Sequence, residues 1–154
     1  MYLSEYTIRL CVDNAGSWTA YKGEIDGNKT SGINKYCSGS GSPKCVAFDE
    51  DKVYTLFAST SGKATIVVSD EAGNSRDISL EKSVDRILLS GESVFFEGEN
   101  NYFGWFNTDT NMTHDINSDN FKDEKVRTVN INNGRFCVLY FDDSIVTIDI
   151  NSLN

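Results

Sequence analysis

The sequence predicts an all-β protein built from blade-like antiparallel repeats. Three segments carry this prediction, because each has an apolar run, a short turn rich in Asp, Asn or Gly, and a second apolar run. They are 46–57, 95–106 and 138–149, and their starts lie 49 and 43 residues apart. Periods of about 40–50 residues with three or four strands each are typical of propeller blades.

The residues before each hairpin indicate a further strand that ends in a glycine turn. The segments 33–39, 84–91 and 126–134 each begin with a β-branched residue and reach a Ser-Gly or Asn-Gly step. A weaker, earlier copy covers 6–21, and a short helix is predicted around 119–125. The predicted strands are 45–49, 52–58, 64–69, 93–97, 101–106, 136–141 and 144–150.

A single all-β domain over residues 1–154 fits this length. Three or three and a half blades would form an incomplete ring, which oligomerisation or a partner would have to complete, because open sheet edges favour aggregation. The alternative is a β-sandwich or a barrel, since these folds show the same alternation of apolar residues.

The charge of the chain disfavours nucleic acid and anionic membranes as direct partners. The net charge is −9, from 23 acidic and 14 basic residues, and no basic patch is present to neutralise phosphates. The acidity indicates an acidic surface for a protein partner, with an inhibitor that mimics nucleic acid as an alternative. The sequence shows no signal peptide and no transmembrane segment, so we expect a cytoplasmic protein with reduced cysteines, although the spacing of Cys37 and Cys45 also permits a disulfide.

The hairpin SGESVFFEGENNYFGWFN resembles a repeat of the regulator of chromosome condensation family, and Tyr102–Asn107 carries most of the likeness. SGSPKCVAFDEDKVYTLF is similar to the same repeat. The chain departs from the family pattern because the Trp-Gly step is replaced by Trp-Phe and the Cys-Gly step with a following histidine is missing. The resemblance implies a propeller that serves as a docking surface for proteins, and it transfers no functional residue.

The sequence does not predict an enzyme. The only histidine, His114, lies in a segment that we predict to be a polar, exposed loop, and no nucleophile motif accompanies it. Oxygen-bearing residues alternate from Asn107 to Asp119, but an EF-hand would need Gly and Glu where Met112 and Ser118 stand. The acidic residues of the hairpins are explained by turn chemistry: Asp49, Glu50, Asp51, Asp142 and Asp143. We therefore expect no catalytic residue, no metal and no cofactor.

The remaining feature is the aromatic hairpin, which we predict to be a protein-contact surface. Tyr102 and Phe106 share one face of the second strand, whereas Phe103 and Trp105 share the other, so one face is free for a partner unless both are buried. The predicted contact residues are Tyr102, Trp105, Phe106, Glu92, Glu97 and Glu99. The predicted function is a non-enzymatic protein-interaction module that binds a protein partner or another copy of itself, and the alternative is a structural subunit of a virion or other large assembly.

Overall fold

The computed structural model describes residues 6–26, 29–49, 51–58, 61–117, 119 and 121–153. Within these ranges the chain forms strands joined by turns, and its only helical elements are two short 3-10 turns, Glu99–Asn101 and Ile150–Leu153. The strands form four antiparallel sheets, each made from strands that follow one another along the chain. The prediction of an all-β protein with blade-like repeats is confirmed.

The first sheet has three strands in the order β1-β2-β3. They are β1 (Tyr6–Asp13), β2 (Ser17–Asp26) and β3 (Lys29–Ser40). A tight turn joins β1 to β2, with Ala15 and Gly16 at positive φ of 45° and 102°. The second sheet has four strands, β4 (Cys45–Phe48), β5 (Lys52–Ala58), β6 (Ala64–Asp70) and β7 (Ser75–Leu80), again in chain order.

The third sheet also has four strands in chain order. They are β8 (Val84–Ser90), β9 (Ser93–Gly98), β10 (Tyr102–Asn107) and β11 (Met112–Asp115). The fourth sheet has three strands, β12 (Val126–Asn132), β13 (Arg135–Tyr140) and β14 (Ile145–Asp149). The first strands of the four sheets begin at 6, 45, 84 and 126, which makes the repeat 39, 39 and 42 residues long.

The chain divides into two compact units. The first is formed by the described residues of Met1–Ala58 and Thr65–Ser79, and the second by those of Ser59–Ala64 and Leu80–Asn154. The core of the first unit is built on buried Trp18, Ala20, Cys37 and Val53. The core of the second unit contains a set of buried aromatic and aliphatic residues that includes Phe95, Phe103, Trp105, Phe136 and Tyr140.

All seven predicted strands are confirmed, with ends that differ from the prediction by at most one residue. The phase of the repeat was wrong at the first copy. The hairpin at 46–57 supplies the first two strands of its sheet, whereas the hairpins at 95–106 and 138–149 supply the second and third. The segment 33–39 lies in β3 and pairs with β2. The helix predicted around 119–125 was also wrong, because the described residues of that segment form turns and irregular backbone.

Candidate protein-contact sites

Three of the four aromatic residues of β10, Phe103, Trp105 and Phe106, are buried, and they lie on both faces of the strand. Trp105 is 7% exposed and packs against Phe95, with ring centroids 6.2 Å apart. Phe106 is 4% exposed, so the prediction that it lies on a free outer face was wrong. Phe96 and Gly104 lie on the same face as Phe106 and are buried as well, so both faces of the strand are covered. Trp105 and Phe106 therefore lie in the core.

Glu97 is also buried, and it pairs with a cation inside its own sheet. Its Oε2 atom lies 3.3 Å from Nε of Arg86, although it makes no well-directed hydrogen bond in the described part of the chain. Arg86 in turn donates from Nη1 to Oγ1 of Thr128, at 2.9 Å, and so links the third sheet to the fourth. Burial raises the pKa of Glu97, and Arg86 opposes that shift. This arrangement gives Glu97 a structural role.

Glu92 and Glu99 are both exposed, but they lie at opposite ends of β9. Glu92 accepts a hydrogen bond on Oε2 from the hydroxyl of Thr108 at 3.2 Å. Glu99 begins the turn after β9 and accepts one from the hydroxyl of Ser83 at 3.4 Å. A six-residue strand separates them by about 20 Å. The structure therefore does not bring the predicted acidic rim together at one surface.

Tyr102 is half-buried beside a surface depression of about 270 Å³. Its hydroxyl donates to Oδ1 of Asp115 at 2.8 Å, and the Lys82 ammonium lies 3.7 Å from the centre of its ring. Burial, followed by Asp115, raises the pKa of this hydroxyl, so it stays protonated at neutral pH. We name this surface the Tyr102 patch, formed by Tyr102, Lys82, Ser83, Glu99, Asn100 and Asp115.

His114 lies on strand β11, which was predicted to be a loop. Its ring stacks on Trp105 with centroids 4.5 Å apart, so it is held as a half-buried packing residue. Asn107, at the start of the same segment, accepts backbone hydrogen bonds on Oδ1 from Asp109 at 2.9 Å and Thr110 at 3.0 Å. Within the described ranges, no group of three or more His, Cys, Asp or Glu side chains is placed to hold a metal ion.

The hairpin acids lie in turns, as predicted for those that the structure describes. Asp142 accepts hydrogen bonds from Lys122 Nζ at 2.8 Å and from the Ser144 backbone N–H at 2.9 Å. Asp143 has a positive φ of 63° and pairs with Arg127. Glu50 lies outside the described residues. The four cysteines are free thiols.

A cleft of about 530 Å³ lies beside β3, in the first unit. One wall is a continuous stretch of β3, Lys35–Ser40. The other wall comes from the second sheet, through β6, β7 and the turn that joins them. We name this feature the β3 cleft; its lining residues from the second sheet include Val67, Ser69, Glu71, Ser75 and Asp77.

Among the described residues, the first sheet has three strands, and the cleft lies beside its third strand. On one side β3 pairs with β2, and no described strand pairs with its other side. The four residues 41–44 that lead to β4 are too few to supply another strand. In the second and third sheets, the third strand is paired on both sides. The third strand of the first sheet therefore presents unpaired backbone groups to the cleft.

The lining of the cleft combines apolar side chains, among them Trp18, Phe57 and Val67, with polar side chains that carry more negative than positive charge. Glu71 and Asp77 are exposed on the second sheet, opposite exposed Lys35 on β3. Burial raises the pKa of the Tyr36 hydroxyl, and Glu71 is the largest charge contribution to that shift. Burial also raises the pKa of the Cys37 thiol to about 11, so this cysteine is protonated and unreactive at neutral pH.

Sequence reasoning missed this cleft. Its wall on β3 looks like an ordinary strand in the sequence, and its acidic residues Glu71 and Asp77 are separated from β3 by more than 30 positions. The short connection after β3 could have indicated that its outer edge is open. Only four residues separate β3 from β4, whereas the second and third sheets each continue through a fourth strand.

No family model and no curated protein matches the sequence. The fold is of the β-propeller type, as comparison with solved structures shows. The N-terminal domain of Nup159 has a TM-score of 0.59 at 18% identity, covering 89% of this chain and 36% of that one. The S. cerevisiae complex of Dbp5 bound to Nup159 and Gle1 has a TM-score of 0.56 at 16% identity, and the match covers 96% of this chain and 45% of that one.

The structure of HIRA(644-1017) has a TM-score of 0.55 at 10% identity, covering 99% of this chain and 55% of that one. The chain thus spans between 36% and 55% of the length of these three solved chains. In its described residues, the chain has no helix that is long and apolar enough to cross a membrane.

Proposed function

We propose that this protein is a non-enzymatic protein-interaction module that receives a segment of a partner protein in the β3 cleft. The observation that carries the proposal is the unpaired edge of β3 beside a cleft of about 530 Å³. Unpaired strand edges template the pairing of a further chain, and proteins use this for recognition. One of the similar solved structures is a complex of Dbp5 bound to Nup159, which supports a binding role for this type of fold.

The Tyr102 patch is a second contact surface in this proposal. Tyrosine is often an interface anchor, and Tyr102 stands beside an open depression while Trp105 and Phe106 are committed to the core. Glu99 belongs to this patch, whereas Glu92 lies at the other end of β9. The acidic surface predicted from the net charge of −9 would affect the association rate more than the affinity.

The proposal also includes three predictions made from the sequence. They are the relationship to the regulator of chromosome condensation repeats, a cytoplasmic location and the lack of direct binding to nucleic acid or membranes. The roles of assembly subunit and of acidic nucleic-acid mimic are the alternatives. Size-exclusion chromatography with light scattering distinguishes the assembly subunit from the interaction module. An assembly subunit would form defined oligomers, whereas an interaction module would elute as a monomer or a small complex.

Selection from a displayed library of random twelve-residue peptides tests the proposed function. We expect enriched peptides that bind the purified protein at 1:1 stoichiometry with micromolar dissociation constants. Ser75→Trp, which fills the β3 cleft from an exposed position, should weaken them at least tenfold, and the matched variant Asn117→Trp, at an exposed position in the second unit, should not. A library that yields no saturable binder would overturn the proposal.

A further inference from the structure

We propose that the β3 cleft binds an extended, basic peptide segment, which adds to β3 as the fourth strand of the first sheet. This inference rests on the proposed function and names the partner class. The partner is a protein segment that carries lysine or arginine at alternate positions.

The backbone of β3 determines the extended conformation of the ligand. Residues 35–40 line the cleft without interruption, and this stretch spans about 20 Å at the usual rise of a strand. Its inner side is paired with β2 from Tyr21↔Lys35 to Ser17↔Ser40, apart from a bulge at Tyr36. The outer backbone groups therefore need partners, and an added strand would satisfy them at the normal spacing of about 4.8 Å.

The β7 side of the cleft offers polar contacts to a ligand. Ser75 and Asp77 are the exposed residues of β7 that line it, and they alternate along the strand with Arg76. Their parity places them on the face opposite buried Ile78 and Leu80. The β7 side therefore suits polar or charged side chains of a ligand, while Trp18, Phe57 and Val67 supply apolar surface elsewhere in the lining.

The charge of the walls selects a basic ligand. Two exposed carboxylates, Glu71 and Asp77, face one exposed cation, Lys35. The neighbouring Asp70 carboxylate is occupied by the backbone N–H and the amide of Asn74, at 2.9 and 2.8 Å. A strand with alternating lysines would place cations opposite Glu71 and Asp77, whereas an acidic strand would be repelled.

Four six-residue peptides test the inference on the full chain. The first alternates lysine with threonine and valine, and the second carries glutamate in place of lysine. The third and fourth are the lysine peptide with N-methyl groups on the odd or on the even backbone nitrogens. We expect the lysine peptide to bind at least tenfold more tightly than the glutamate peptide, and one of the two N-methylation registers to abolish binding. Backbone amides within Lys35–Ser40 should gain protection from hydrogen exchange on binding.

Substitutions of the acidic residues that line the cleft provide a second test of the inference. Asp77→Asn and Glu71→Gln should each weaken the lysine peptide about threefold to tenfold and reduce its salt dependence, because each removes one exposed charge. The matched variant Glu124→Gln, at an exposed position in the second unit, should bind like the wild type.

The outcomes separate this inference from the proposed function. Equal binding of lysine and glutamate peptides, or binding that leaves the β3 amides unprotected, would overturn strand addition by a basic segment. Library peptides that bind under the same conditions would then still support a protein-interaction module. If neither the designed peptides nor any library peptide binds, both proposals fail.

Discussion

The ring of Phe96 lies directly over Gly104, its cross-strand partner on β10. A Cβ atom at position 104 would stand 2.4 Å from Cε2 of Phe96 and 2.9 Å from the carbonyl oxygen of His114. Trp18 and Gly39 repeat this relationship in the first unit, where a Cβ atom would stand 2.7 Å from Nε1 of the indole. In both pairs an aromatic ring fills the space that the glycine leaves open. The ring therefore supplies the packing that a glycine, which has no side chain, cannot give to the strand.

Gly104→Ala should destabilise the protein by about 1–3 kcal/mol, the usual cost of overpacking a tight core. Urea unfolding of the purified variant measures this change. The control is the double-mutant cycle with Phe96→Leu, whose smaller side chain leaves room for the added methyl group. Gly104→Ala should therefore cost less when combined with Phe96→Leu, and equal costs with and without Phe96→Leu would show that the ring is not the obstacle.

Glu97→Gln should change how stability depends on pH. Burial raises the folded pKa of Glu97 above the value of about 4.3 for an exposed glutamate. This group therefore contributes stability that is present below pH 4.3 and is lost as the pH rises through the folded pKa. The free energy of unfolding of the wild type, relative to Glu97→Gln, should increase as the pH falls from 7 to 4. A constant difference would contradict the buried carboxyl, and exposed Glu124→Gln is the control.

Asp142→Asn should change the pH dependence of the free energy of unfolding in the opposite direction to Glu97→Gln, because the pKa of Asp142 is lowered and not raised. Hydrogen bonds from Lys122 and then Ser144 hold the pKa of Asp142 far below its usual range. Such a group stabilises the folded state above its unfolded pKa of about 3.9, and this contribution disappears as the pH falls through the folded pKa. The advantage of the wild type over Asp142→Asn should shrink between pH 5 and 2 in urea unfolding. Asp123→Asn, at an exposed site nearby, should show no such trend.

Tyr102→Ala should leave the protein folded and cost about 1–2 kcal/mol, less than the 3–5 kcal/mol of a fully buried aromatic. Tyr102→Phe keeps the ring under Lys82 and removes only the hydrogen bond to Asp115, so it should cost about 0.5–1 kcal/mol. Thermal melts monitored by circular dichroism compare the two variants. Loss of the folded state in Tyr102→Ala would make Tyr102 a core residue and remove it from the contact proposal.

Treatment with EDTA should leave the melting temperature unchanged. The oxygen-rich segment from Asn107 uses its first side chain to hold its own turn, and its middle residues form β11. Differential scanning calorimetry before and after chelation measures the effect. A decrease of several degrees that calcium reverses would reveal a metal site in this segment.

The turns made most of the fold predictable from the sequence. Residues such as Asp143, which adopts a positive φ, mark tight hairpins, and the apolar runs beside them are strands whatever surrounds them. The phase of the first repeat was not predictable in this way. A hairpin motif specifies two paired strands, but it does not say whether they are the first or the middle strands of their sheet.

Burial of Phe106 and the strand around His114 depended on tertiary structure. Alternation showed which side chains of β10 share a face, but the covering of the second face comes from other strands. Strand β11 has mostly exposed, polar residues, so it lacks the apolar alternation that reveals a strand. The β3 cleft was hidden for a related reason, since it depends on how the described strands of two sheets are arranged around the edge of β3.

The two cores have a consequence for spectroscopy. The chain contains two tryptophans, and each core holds one of them, Trp18 in the first unit and Trp105 in the second. Their indoles are 2% and 7% exposed, so each should fluoresce in an apolar environment until its own unit opens. The variants Trp18→Phe and Trp105→Phe therefore turn the remaining tryptophan into a reporter for one unit. Their emission curves in denaturant would coincide for cooperative unfolding and separate if the units melt independently.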